Sequence, residues 1–315
     1  MKRKQSTIFL KRWQHFEKLL RRQIAKPSEK QLTVRCWKAS TLSLAVSIIL
    51  KRHKATLKTT FPPASAVIQR LVSSGWLHPI KITKGKPHLR LYRMEAETAD
   101  NESVDPLELL QACLPSGVIS YFAALSFYEL TTQVPPFYHI GRLLAGQPQE
   151  PPKESVLVSQ VNAKRNPLGS ELFQFGETTY YETKRYKVLT PGVQLRIVSP
   201  RTWLRITTQE QTLLDTLIQP TRCGGEAVIF EAWEKAMENF DASRMADHLA
   251  KINRDELSRR TGAILELIGM KFDDTPLGDQ LRMVKERVHT DTTEIPLLPG
   301  MDFSNRSDAW RVRVP

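Results

Sequence analysis

From Met1 to Arg93 the chain carries 22 lysines and arginines against two acids, Glu17 and Glu29. The rest holds 24 basic and 31 acidic residues, so the formal net charge of +13 joins two parts of opposite sign. A stretch so poor in carboxylates exceeds what solubility requires. It reads as an electrostatic footprint for a polyanion, because neutralising phosphates releases condensed counterions. An anionic membrane surface would draw the same charges, together with an amphipathic helix for which Ile8 to Ile24 is a modest candidate.

The sign changes at Glu95-Ala-Glu-Thr-Ala-Asp-Asn-Glu-Ser-Val-Asp105, which is polar, acidic and without apolar period. Such composition marks an interdomain linker. The expected plan is a basic domain over 1–94, a linker over 95–105, a mixed domain over 106–271 and a tail over 272–315. With 315 residues, 41% of them hydrophobic, each main domain can bury a core. The tail is rich in turn formers and is expected to wrap the second domain or stay mobile.

Within the basic third, Ile8, Phe9, Trp13, Phe16, Leu19, Leu20 and Ile24 fall close to a helical stripe. Leu42, Leu44, Ala45, Ile48 and Ile49 give a second helix one apolar side over Ser40 to Lys51. After Phe61-Pro-Pro63, Ala64, Val67, Ile68, Leu71 and Val72 repeat at helical spacing until Ser74-Gly75 stops the helix. Trp76 to Ile82 reads as a strand, Thr83-Lys-Gly-Lys-Pro87 as a turn and His88 to Arg93 as a returning strand. That order is the one found in a winged helix-turn-helix, whose helix before the glycine enters the DNA major groove. With Ala64, Val67, Ile68 and Leu71 turned inward, Ser65, Ala66, Gln69 and Arg70 are left as base-reading candidates. Gln69 can pair bidentately with adenine, and Arg70 with guanine or a phosphate. Lys58, Lys84, Lys86 and Arg90 are the phosphate candidates, which set register rather than sequence.

The acidic two-thirds carries no catalytic signature. Seven histidines show no metal spacing, and there is no G-x-S-x-G, P-loop or G-x-G-x-x-G. Cys36, Cys113 and Cys223 are scattered and read as reduced thiols, at least partly buried. The longest apolar run, Leu42 to Leu50, is too short to span a bilayer, and Arg12 and His15 interrupt any signal-peptide core. The expectation is therefore a cytoplasmic, non-enzymatic protein without metal, cofactor or membrane partner. Gly224-Gly225 could cradle an anion, but such a pair is more often a tight turn.

A helix is expected over Ile119–Leu130. Strands follow at Phe137–Ile140, Ser155–Val161, Leu172–Phe175, Thr179–Thr183, Lys187–Leu189 and Val193–Val198. Helices return at Thr208–Leu217, Glu226–Asn239, Ala242–Lys251 and Asp255–Ile268. The expected fold class is α+β: a winged helix-turn-helix, then a mixed domain with an antiparallel sheet and a C-terminal helical group. Leu213, Leu214, Leu217, Leu265, Leu267 and Ile268 are expected in the core, and Arg259 and Arg260, beside Glu256, in helix-surface ion pairs.

Three segments resemble the AbiEi antitoxins of type IV toxin–antitoxin systems. They are Gly117-Val-Ile-Ser-Tyr-Phe-Ala-Ala-Leu-Ser-Phe-Tyr-Glu-Leu-Thr131, Ile206-Thr-Thr-Gln-Glu-Gln-Thr-Leu-Leu-Asp215 with Pro220 and Gly224-Gly225, and Asp255-Glu-Leu-Ser-Arg-Arg-Thr-Gly-Ala-Ile-Leu-Glu-Leu-Ile-Gly269. Their order and spacing, more than any one motif, carry the likeness. Tyr128-Glu129 departs from the His-Gly pair that members tend to have there. The resemblance implies a bifunctional antitoxin. Its winged helix would bind inverted repeats in its own promoter, with two copies per operator, and repress the operon. Its C-terminal region would counter a cognate nucleotidyltransferase-like toxin. Two alternatives stand beside it: a winged-helix regulator of a mobile element whose second domain binds another ligand or protein, and an enzyme acting on nucleic acid. The latter would need a carboxylate cluster for divalent metal, which the sequence does not display.

Overall fold

The computed structural model describes residues 2–57, 62–85, 89–94, 104–146, 168–288 and 293–315. The chain is α+β and divides into two compact units. The first comprises Met1–Ser116 with Phe173–Gly176 and Leu195–Leu204; the second comprises Gly117–Leu172, Glu177–Gln194 and Arg205–Pro315.

The first unit opens with α1 (Lys2–Ile24), β1 (Cys36–Lys38), α2 (Ala39–Leu57) and α3 (Ala64–Ser73). It continues through β2 (Leu77–Ile80), β3 (Lys84–Gly85), β4 (Leu91–Met94) and α4 (Pro106–Cys113). Trp13, Phe16, Leu20 and Ile24 place one face of α1 in a core shared with Leu42 and Val46 of α2 and Val67 and Leu71 of α3. Pro63 precedes α3 as its N-cap, where a missing amide hydrogen costs no helical bond. The helix ends at Gly75, whose φ of 73° suits glycine; Gly75 N donates to Val72 O and Trp76 N to Leu71 O. The chain then returns as a three-stranded antiparallel sheet in the order β1-β4-β2, with Ile80 opposite Leu91 and Trp37 opposite Tyr92.

Two features differ from the expected hairpin. β1 is a strand of three residues, too short for periodicity to announce. Residues 84–85, expected in the turn, instead form β3 and pair antiparallel with Gln174 and Phe173 of β7 (Ser170–Phe175). A lone edge of two residues finds its backbone partners wherever an open strand lies, and local sequence does not say where. The expected linker falls almost wholly outside the described residues; its last residue, Asp105, caps α4 by accepting from the amides of Leu107 and Glu108.

The second unit begins with β5 (Val118–Ser120), α5 (Phe122–Phe127) and β6 (Phe137–Leu144), followed after β7 by β8 (Thr178–Tyr186). β9 (Val193–Ser199) and β10 (Thr202–Thr207) carry the chain through residues 195–204 of the first unit, and five helices then follow in the second: α6 (Gln209–Ile218), α7 (Glu226–Ala236), α8 (Ala242–Ile252), α9 (Asp255–Leu267) and α10 (Pro276–Val288). β11 (Ile295–Pro296), β12 (Asn305–Ser307) and β13 (Val312–Val314) close the chain as a small sheet.

The larger sheet corrects the antiparallel expectation. β6 runs parallel to β8 from Phe137↔Thr179 to Leu144↔Tyr186, and β5 is antiparallel to β6 but parallel to β10. Alternation along a strand fixes which face a residue takes, not which neighbour it meets or in which direction. Ile119 lies in β5 rather than in the expected helix, because Tyr121 breaks the chain with φ 62° and ψ −136°. Residues 187–189 are a 3-10 turn rather than a strand. The expected strand 155–161 lies outside the described residues.

The core of this unit gathers Leu213, Leu214 and Leu217 of α6, Trp233 of α7 and Ile264 and Leu265 of α9. Leu267, expected there, is exposed. The segment set apart as a tail enters the same core through Ile295, Leu297, Leu298, Trp310, Val312 and Val314. Gly262 is where it docks: a Cβ there would collide with the Trp310 ring. Arg259 and Arg260 are consequently buried rather than on the helix surface. Arg259 donates to the carbonyls of Trp310, Thr293 and Arg311, and Arg260 to that of Pro296.

Candidate nucleic-acid interface

α3 separates cleanly into two faces. Val67, Ile68 and Leu71 are buried, with Ala64 packed against the same core, while Ser65, Ala66, Gln69 and Arg70 are exposed. All four base-reading candidates therefore share one solvent face of a helix anchored at both ends. Ser65, Ala66 and Gln69 are small or uncharged, so Arg70 supplies the charge of that face.

Arg70 is more constrained than an ordinary solvated side chain. Its guanidinium carbon lies 4.5 Å over the ring of Trp13, a cation–π contact. Of the phosphate candidates, Lys84 is exposed in β3 and Arg90 is exposed just before β4. The Arg90 carbonyl accepts from Ala39 N, which ties this basic position to the start of α2. Lys58 and Lys86 lie outside the described residues. The three cysteines are free and buried, and burial above all pushes the Cys36 thiol well above its ordinary value and that of Cys113 up to about 12.

The second unit holds a polar cluster that spacing did not reveal. Arg185, at the end of β8, donates to both carboxylate oxygens of Asp215 on α6 at 2.6 and 2.7 Å, with both side chains nearly fully buried. Burial alone would lower the Arg185 pKa, but the Asp215 carboxylate outweighs it and holds the guanidinium above its usual value. Gln211 Nε2 donates to Asp215 at 3.0 Å, and Arg185 Nε to Thr190 at 3.2 Å. Arg185 and Arg222 lie 4.8 and 5.4 Å over the ring of Tyr121. Beside it, His139 is fully buried among Tyr121, Phe137 and Tyr181, with Nε2 2.8 Å from the Leu168 carbonyl. Burial, aided by Arg222, drives its pKa down to about 3, so the ring is neutral.

This arrangement fixes β8 to α6 and closes around the strained Tyr121 as a buried, hydrogen-bonded ion pair. A signal for it existed in the sequence. Asp215 sits within Leu213-Leu-Asp-Thr-Leu217, and a carboxylate in an apolar helical stretch demands a cation. Gly224 and Gly225 take φ of 93° and 85° before α7, and Gly224 packs so closely on Phe122 and Val228 that no side chain fits. The pair is thus a tight turn. Among the described residues no group of three or more His, Cys, Asp or Glu side chains could hold a metal ion, and no helix is long and apolar enough to cross a membrane.

No protein-family model and no curated protein matches the chain. Among solved structures, the RV2827C protein from Mycobacterium tuberculosis is similar with a TM-score of 0.49 at 12% identity, over 85% of this chain and 84% of that one.

Proposed function

We propose that the chain is a DNA-binding repressor of its own operon and an antitoxin of the AbiEi kind. Its first unit would act as a winged helix-turn-helix and its second would counter a nucleotidyltransferase-like toxin. The observation that carries the DNA reading is the exposed face of α3. Ser65, Ala66, Gln69 and Arg70 lie together on one face of this helix, within a segment holding 22 basic residues against two acids. The helix-helix-strand-strand order around it, with β1 completing a three-stranded sheet, fits a winged helix. On this reading α3 enters the major groove, Gln69 and Arg70 meet base edges, and Lys58, Lys84, Lys86 and Arg90 meet phosphates.

The antitoxin reading rests on the resemblance and has support at the point where the chain departs from it. Glu129 holds φ 58°, left-handed backbone that the glycine of the family's His-Gly pair would adopt without cost. Tyr128, in the histidine's place, fills the corner by donating to the Thr207 carbonyl and accepting from Gln194 Nε2. The protein would work in the cytoplasm without cofactor or enzymatic activity, with two copies on an inverted repeat.

Two experiments test the two halves. Footprinting of the upstream promoter should show a pair of protected half-sites related by inversion; a single unstructured footprint sinks the repressor half. Co-expression with a neighbouring nucleotidyltransferase-like gene should restore growth; unrelieved toxicity sinks the antitoxin half.

A further inference from the structure

The α1 helix has no part in the reading above, yet one row of its side chains runs along the end of α3. Trp13, Glu17 and Arg21 recur every four residues, so they stack one above another on a single helix face. Trp13 is 6% exposed and packs at 5.8 Å from Phe16 in the core of the first unit. Over its ring, at 4.5 Å, lies the guanidinium of Arg70 from the last turn of α3. Two turns further along α1 the roles reverse: Arg21 lies 5.1 Å over the ring of Trp76, the residue that follows Gly75. Glu17, between them, accepts from Arg21 at 2.5 Å. The end of α3 is therefore gripped by α1 through two reciprocal arginine–tryptophan stacks.

The charges divide the two arginines by task. Glu17 is one of the two acids in the first 93 residues, and its carboxylate is committed to Arg21. Arg21 is thus a neutralised, structural cation. Among the described residues the Arg70 guanidinium has the Trp13 ring beneath it but no hydrogen-bond or ion-pair partner. A ring occupies the face of a guanidinium and leaves its edge, with its N–H donors, available to a second partner. The stack also narrows the rotamers that Arg70 samples, which reduces the entropy lost when it engages a base or phosphate.

We propose that Trp13 is a positioning residue for Arg70, and that α1 presets the DNA-reading end of α3 through the Trp13–Arg70 and Arg21–Trp76 stacks. The N-terminal helix then belongs to the specificity apparatus rather than adding one more phosphate anchor. This inference rests on the DNA-binding reading of α3.

The test is a double-mutant cycle in the full chain with Trp13→Leu, Arg70→Ala and their combination, and with Trp13→Phe as the variant that keeps an aromatic ring in the core. Each is titrated against the upstream promoter fragment and a shuffled fragment, and the Arg70 Nε–H resonance is followed in the DNA-free protein. Arg70→Ala should reduce the promoter-to-shuffled affinity ratio about tenfold, the scale of one bidentate base contact. Trp13→Leu should reduce it about threefold, the scale of a partly exposed cation–π contact, with Trp13→Phe in between. The double variant should be no worse than Arg70→Ala alone, and the Arg70 resonance should be ring-current-shifted in the wild type and relax in Trp13→Leu. Additive losses in the cycle, or an unshifted Arg70 resonance, overturn the inference while leaving the repressor reading intact. Equal wild-type binding to both fragments overturns the repressor reading, and the inference with it.

Discussion

Replacing Arg185 by Met should destabilise the second unit more than any surface substitution. The change removes two hydrogen bonds to Asp215 at 2.6 and 2.7 Å, one to Thr190 and the cation–π contact with Tyr121. It leaves a carboxylate whose side chain is 2% exposed, with Gln211 still donating to it. Breaking a buried pair from one side costs about 3–5 kcal/mol, because the surviving charge stays desolvated. For a unit of this size that corresponds to a Tm lower by roughly 6–20 °C. Adding Asp215→Leu to Arg185→Met should recover most of the loss, since well-packed apolar replacements of a buried pair are often near neutral. Urea unfolding of the wild type, the single variant and the double variant measures this, with an unchanged m-value showing that stability alone has moved. An Arg185→Met cost below about 1 kcal/mol, or a double variant no better than the single one, would refute the claim that an isolated buried charge dominates the cost.

Three further outcomes follow from the same structure. The neutral His139, with a folded pKa of about 3 against an ordinary 6.5, contributes stability that is complete above pH 6.5 and is lost as pH falls toward 3. Between pH 6.5 and 5 the loss should approach about 2 kcal/mol, and His139→Gln should flatten that slope in urea titrations; an unaltered slope would contradict the burial argument. Gly262→Ala drives a methyl group into the buried Trp310 ring and should cost about 1–3 kcal/mol by thermal unfolding, whereas a neutral result would mean that the C-terminal strands yield readily. Lys84→Ala should weaken binding to promoter and shuffled duplex alike and reduce the salt slope by about 1, while Gln69→Ala should spare the slope and erode discrimination; the reverse pattern would misplace both residues.

The phase of α3 was legible because the signals at its ends and along its length agree. Pro63 and Gly75 bracket it, and Val67, Ile68 and Leu71 leave a single choice of outward face. The mixed sheet was not legible, because alternation in 137–144 and 178–186 is equally compatible with parallel and antiparallel neighbours. Arg259 and Arg260 misled for a related reason. Their acceptors are main-chain carbonyls 34 to 52 residues away, and a carbonyl has no sequence identity. The Trp13–Arg70 stack spans 57 positions, and nothing local in either segment marks it. Asp215 was overlooked for a different reason: its apolar surroundings demand a cation, but the sequence does not say which one.

The central claim is that α3 and its basic surroundings read a particular DNA sequence. Titration of the chain against its own upstream promoter fragment and a shuffled fragment, at two salt concentrations, tests it most directly. The account predicts tight binding to the promoter, a much weaker affinity for the shuffled duplex, and a preference that persists at the higher salt. Equal and steeply salt-dependent binding to both would contradict it, leaving the first unit a general phosphate anchor.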